Sequence, residues 1–182
     1  MAKPEADYGI VTEAGAIRFE RLLPGSIDTI WAYLTESDKR RLWLASGPME
    51  LEPDGEFELV WRNSELTGHD DPPPEHYADH AEFRMKGRII RAEPPRLLVQ
   101  SWNEPDGTVS QVSFALAEQG DQVLLTLTHS RIPTRRLMVG VAGGWHIHLA
   151  ILQAKLEGRE PPPFWATHAL LEQDYESRIP AE

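Results

Sequence analysis

Residues 17–43, IRFERLLPGSIDTIWAYLTESDKRRLW, decide the fold, because their hydrophobic periodicity changes from strand to helix within one short stretch. Over 16–22, Ile17 and Phe19 share one face and Arg18 and Glu20 the other, the period-two alternation of a half-buried strand. Pro24-Gly25 breaks that strand. Ser26 then suits an N-cap, Asp28 suits the positive end of a helix dipole, and Ile27, Ile30, Trp31 and Leu34 recur at helical spacing. Ser37-Asp38 repeats the start signal for a second short helix carrying Leu42 and Trp43.

Toward the C-terminus the alternation returns. Residues 55–62, GEFELVWR, place Phe57, Leu59 and Trp61 on one face, and a third strand over 81–92 does the same with Phe83, Met85 and Ile89. Pro94-Pro95 ends it, since proline cannot donate to a ladder. Leu98, Gln100 and Trp102 form one face of a fourth strand, Pro105-Asp106-Gly107 makes a turn, and Val112, Phe114 and Leu116 mark a fifth. Gly120-Asp121 turns the chain into a sixth, with Leu125, Leu127 and His129 on one face. Short turns between successive strands imply an antiparallel meander. After Pro133 the period lengthens: Trp145, His148, Leu149, Leu152 and Leu156 form one helical stripe that Gly158 stops. Gly140, Gly143 and Gly144 each cost roughly 1 kcal/mol relative to Ala in a helix, so they are expected to separate a short preceding turn from a main helix beginning near Gly144. Pro161-Pro162-Pro163 opens a tail in which 164–178 has the makings of a further helix.

A chain of 182 residues with 41% hydrophobic content is long enough for one well-buried core, so one domain is expected. A formal net charge of −11 opposes nucleic-acid binding and attraction to anionic membranes, both of which rely on Lys and Arg. With no cysteine, disulfides, thiolate metal sites and thiol nucleophiles are excluded. The N-terminus, MAKPEADYGIVTEAG, lacks the basic-then-apolar pattern of a secretory signal, and no uninterrupted apolar window approaches the ~18 residues of a membrane span. A cytoplasmic location is the expectation.

The run RFERLLPGSIDTIWAYLTESDKRRLWL, the strand GEFELVW, the segment GRIIRAEPPRLLVQSW, the hairpin VSFALAEQGDQVLLTLTHSRIP and the closing GW…L..L…L.G pattern together resemble bacterial relatives of the C-terminal domain of the heat-shock-protein-90 ATPase activator, a group of the START-like (SRPBCC) superfamily. The resemblance spans about residues 17–158. It implies an α+β helix-grip fold: a curved antiparallel sheet of about six strands wrapped around a long C-terminal helix, with two short helices after strand one. On this reading 1–182 is a single START-like domain with a core over 16–158, a short lead over 1–15 and an extension over 159–182. Between sheet and helix, related proteins hold apolar or amphipathic small molecules, and the family name implies a link to the stress response. Two features depart from the pattern. The segment 63–80, with LTGHDDPPPEHYADH, is longer and more polar than a plain hairpin connection, and the tail after Gly158 is placed to cover one cavity entrance. The eukaryotic activator also carries a separate chaperone-binding N-terminal domain, for which this chain has no room.

The cavity implied by that fold has a candidate lining: Phe57, Leu59, Trp61, Phe83, Met85, Gln100, Trp102, Val112, Phe114, Leu127 and His129 from the sheet, and Trp145, His148, Leu149 and Leu152 from the helix. Core packing alone accounts for any one of the apolar members, since full burial of such a side chain is worth ~1.5 to 3 kcal/mol. The functional reading is collective, because a concave sheet and a helix do not meet along their whole length. Arg21 and Arg91 also fall on inward tracks. His129 and His148 are either satisfied core histidines or groups that bond a ligand or move a proton. The pair His146 and His148 diverges by about 200° on a helix and does not share a metal. Within the polar stretch of His69, Asp70, Asp71, His76, Asp79 and His80, the last histidine falls on the face of His76 if that segment is helical, yet such loop clusters are usually just solvated; no metal or cofactor is expected. G-x-S-x-G, P-loop and H-E-x-x-H signatures are absent, so no catalytic residue is assigned. Three readings follow: a binder of a small apolar or aromatic molecule; an enzyme doing cyclase- or hydrolase-like acid-base chemistry in the same cavity; and a module that regulates a chaperone ATPase through its surface. A homodimer through an edge strand or the tail is a further expectation.

Overall fold

The computed structural model describes residues 4–79 and 81–181. A strand β1 (Ile10–Glu13) turns at Gly15 into β2 (Ala16–Pro24). Gly15 has φ 76°, and a Cβ there would stand 2.7 Å from the carbonyl oxygen of Ile132, so this turn needs glycine for both reasons. Ser26 caps α1 (Ile27–Thr35), its hydroxyl accepting from the Thr29 N–H at 3.2 Å, and α2 (Ser37–Arg40) follows. The remaining strands are β3 (Glu56–Trp61), β4 (Phe83–Glu93), β5 (Leu97–Asn103), β6 (Val109–Gln119) and β7 (Gln122–Ser130). Two helices close the chain, α3 (Arg135–Leu156) and α4 (Phe164–Arg178).

All pairings are antiparallel, in the order β1-β2-β7-β6-β5-β4-β3. The meander from β4 to β7 is the one the short turns predict; β3 pairs with β4 across a long connection, and β2 joins beside β7, with Phe19 opposite Leu127. One face of β2, β3, β6 and β7 is turned into the core: Ile17 and Phe19, Phe57 and Leu59, Val112 and Phe114, and Leu125 and Leu127 are all buried. The architecture is thus the helix-grip fold, an α+β sheet curved around a long helix.

Three expectations need correction. The sheet has a seventh strand, β1, inside what reads as an unstructured lead; all four of its residues are exposed, so it has no apolar alternation to reveal it. The second helix ends at Arg40, before Leu42 and Trp43. There the chain wraps around the buried Arg40 guanidinium, whose Nε donates to Ala45 O at 3.1 Å and Nη1 to Thr35 O at 3.0 Å, while Trp43 is wholly buried. Finally, Gly140, Gly143 and Gly144 do not bound a helix. They lie inside α3, which runs unbroken from a Thr134 cap whose hydroxyl accepts from Leu137 N–H. At Gly143 the cause is helix packing, because a Cβ would come within 3.3 Å of Glu172 Cγ on α4.

By length and composition α3 could cross a bilayer, but 67% of its most apolar window is buried within the fold, as befits a core helix.

Candidate functional site

Sheet and helix part company at one end. There a pocket of about 620 Å³ opens between the Trp61, Met85 and Trp102 region of β3–β5, the first half of α3 and the start of α4. Such a volume is within the range of small-molecule sites. Of the residues singled out in the sequence, Trp61, Phe83, Met85, Trp102, Trp145 and His148 meet on its wall. The indoles form a continuous aromatic surface: Trp61 and Trp102 are edge-on with centroids 5.5 Å apart, and Trp102 and Trp145 are 5.0 Å apart.

The rest of the candidate lining does not face this pocket. Phe57, Leu59, Gln100, Val112, Phe114, Leu127, His129, Leu149 and Leu152 are at most 3% exposed. They are packed within the buried core, so period-two and period-3.6 patterns put them on the inner faces but cannot say where those faces leave a void. Arg21 is also buried, its Nη2 donating to Asp7 O at 2.7 Å, whereas Arg91 is exposed and paired with Glu93.

Further walls come from the tail, which the sequence places at a cavity entrance, and from the long polar connection before β4, although none of their residues is among the candidate lining. The tail contributes Phe164, Trp165 and His168, and the segment 63–80 contributes Asn63 and Tyr77. Tyr77 stacks on Trp165 at 5.2 Å, and Phe164 stacks on His168. The 63–80 segment is tied to α4 by Asp71, whose Oδ1 accepts from Ala166 N–H at 3.1 Å and whose Oδ2 accepts from Trp165 N–H. His69 Nε2 approaches Pro161 O at 2.9 Å, and Trp165 Nε1 donates to Ser64 Oγ at 3.0 Å. The polarity of this stretch in the sequence is therefore the chemistry of a strap. Gly140 and Gly144 also line the pocket, and a Cβ added to either would meet nothing within 4 Å.

The histidines are fixed by their partners. Trp145 Nε1 donates to His129 Nδ1 at 3.0 Å, so Nδ1 carries the lone pair and Nε2 the proton, which is directed at Ser110 Oγ at 2.7 Å. Burial pushes His129 down to about 3, keeping it neutral. His148 has the opposite tautomer. Its Nδ1 lies 2.7 Å from Trp43 O, and since a carbonyl only accepts, Nδ1 holds the proton and Nε2 the lone pair. Burial holds His148 down to about 4, against the raising effect of that hydrogen bond. His168, facing Glu172 and also lowered by burial, completes the imidazoles of the wall.

Two side-chain oxygens, Asn63 Oδ1 and Asn103 Oδ1, are buried without a hydrogen-bond partner among the described residues. Asn103 is oriented by its own amide, which donates to Lys86 O at 2.8 Å. At the rim, burial and then Asp106 raise Glu104 above the ordinary carboxylate range, and Arg136 is the cation alongside.

The described residues hold no group of three or more His, Asp or Glu side chains placed to bind a metal. His146 turns away from His148 and bonds Tyr175 OH through Nδ1 at 2.8 Å; His80, the suggested partner of His76, lies outside the described residues.

Residues 24–157 match the family model described as activator of Hsp90 ATPase homolog 1-like protein. A Bordetella parapertussis protein solved by solution NMR is 42% identical, covering 100% of this chain and 97% of its own at a TM-score of 0.81. CalU16 from Micromonospora echinospora is 22% identical, covering 96% of each chain at 0.68. A conserved protein of unknown function from Enterococcus faecalis is 23% identical, covering 92% of this chain and 86% of its own at 0.66. The last two share the fold. No curated protein matches the chain.

Proposed function

The chain belongs to the activator of Hsp90 ATPase homolog 1-like family of the START-like superfamily, and from that premise we propose that it binds a small apolar or aromatic molecule in the pocket between sheet, α3 and α4. One observation carries this reading. Gly140 and Gly144 sit inside a continuous helix, where each costs roughly 1 kcal/mol relative to Ala, and neither is required by a close approach. What they leave is space, and that space is the pocket. The walls are four indoles, Trp61, Trp102, Trp145 and Trp165, with Tyr77, Phe83 and Phe164, a surface suited to a flat or polycyclic body.

Acid-base chemistry in the same pocket has weaker support. Both ring nitrogens of His129 are engaged and the residue lies behind Trp145, while His148 is held neutral and poor as a base. Native mass spectrometry of the freshly purified protein, compared with the same sample denatured, tests the binding reading. A small molecule present only in the native spectrum is expected; a protein that is empty, and that gains no mass from any of a panel of aromatic compounds, would count against it.

A further inference from the structure

Resting on that binding reading, the polar atoms of the wall narrow the ligand class. A buried acceptor without a donor is costly, and the natural complement is a ligand that carries the donor. One acceptor of this kind belongs to the pocket wall. His148 exposes a lone pair at Nε2 because Trp43 O fixes the proton on Nδ1. The unpaired side-chain oxygens of Asn103 and Asn63 are closed off from the pocket by the atoms around them and do not reach a ligand there. Charge adds a second restriction. Glu104 and Asp106 stand against the single guanidinium of Arg136 on this wall, so a ligand carboxylate or phosphate would meet more repulsion than attraction.

We propose that the pocket takes an uncharged aromatic molecule bearing a hydroxyl or N–H donor, received by His148 Nε2, and that it discriminates against acidic ligands such as fatty or aromatic carboxylates. The aromatic walls supply area, and His148 supplies orientation and selection. A ligand of the same shape without a donor leaves the Nε2 lone pair buried and unpaired, which is the arrangement by which a hydrogen-bonding site rejects an isostere.

Isothermal titration with four probes of one shape tests this: 2-naphthol, naphthalene, 2-methoxynaphthalene and 2-naphthoate. The expected order places 2-naphthol at least about tenfold tighter than naphthalene and 2-methoxynaphthalene, with 2-naphthoate weaker than 2-naphthol. His148→Asn, whose amide can still donate to Trp43 O but has no atom at the Nε2 position, checked for an unchanged melting transition, should narrow the gap between 2-naphthol and naphthalene. Equal affinities for 2-naphthol, naphthalene and 2-methoxynaphthalene would overturn the donor requirement while leaving the binding function standing. Preference for 2-naphthoate would overturn the exclusion of acids. Failure of all four to bind, together with an empty native spectrum, would overturn the binding function itself.

Discussion

His129 illustrates how a residue can look catalytic in sequence and prove structural in space. It lies on the inner face of β7, as the alternation predicts, but Trp145 and Ser110 take both its nitrogens. Neither bond is visible in the sequence, because the partners are 16 and 19 residues away. Because burial lowers His129 to about 3 and His148 to about 4, the unfolded chain, with histidines near 6.5, binds more protons than the folded one at mildly acid pH. Stability is therefore complete above about pH 6.5 and lost as pH falls toward 4 and then 3, by up to about 1.4 kcal/mol per pH unit for each histidine. Gln at position 129 can accept from Trp145 and donate to Ser110 without titrating, so urea denaturation of His129→Gln should show a shallower acid limb than wild type. An unchanged limb would mean that His129 is not held neutral. At Gly144 the expectation reverses sign. Gly144→Ala adds a Cβ where nothing stands within 4 Å and should stabilise the protein by roughly 1 kcal/mol, whereas Gly144→Leu keeps the helix but fills the pocket and should abolish binding of 2-naphthol. Calorimetry on both variants separates helix propensity from occupancy.

The elements that carry an alternating or helical stripe, β2 through β7 and α3, were legible in the sequence because burial on one face imposes a period. β1 was not, since nothing on it is buried, and neither was the continuity of α3, since glycine's local cost argues for a boundary that packing and pocket space override. The strap over 63–80 shows another limit: its polar residues read as solvated, yet Asp71 serves as an N-cap for α4, whose own cap position is Pro163 and makes no side-chain bond. A carboxylate at a helix N-terminus also meets the positive end of the dipole. Asp71→Ala is expected to cost about 1 to 2 kcal/mol, and Asp71→Asn less, because an amide oxygen still accepts one of the two N–H groups. Hydrogen exchange supplies the local readout: amides 165–168 should lose protection in Asp71→Ala while those of β6 and β7 keep it. A uniform loss across the sheet would show that the residue supports the whole fold rather than the junction of strap and α4.

At the scale of the molecule, the inner faces could be read from sequence but the void between them could not. Phe114 and Trp102 alternate identically on neighbouring strands and both rings meet Trp145 of α3, yet Phe114 is packed and Trp102 borders open space, a difference that alternation does not record. The pocket draws its walls from β3–β5, α3, α4 and the strap, so a ligand there touches most layers of the fold at once. Since α3 packs against both the sheet and α4, occupation should stabilise one cooperative unit rather than a local flap. Mass action then sets the size: ligand at a hundred times its dissociation constant adds about 2.7 kcal/mol, which for a chain of this length raises the melting temperature by roughly 5 to 11 °C. Thermal unfolding followed together by near-ultraviolet and far-ultraviolet circular dichroism should show both signals moving by the same amount with 2-naphthol. If only the aromatic signal moves, α4 and the strap melt apart from the sheet, and the pocket is an appendage to the grip instead of its centre.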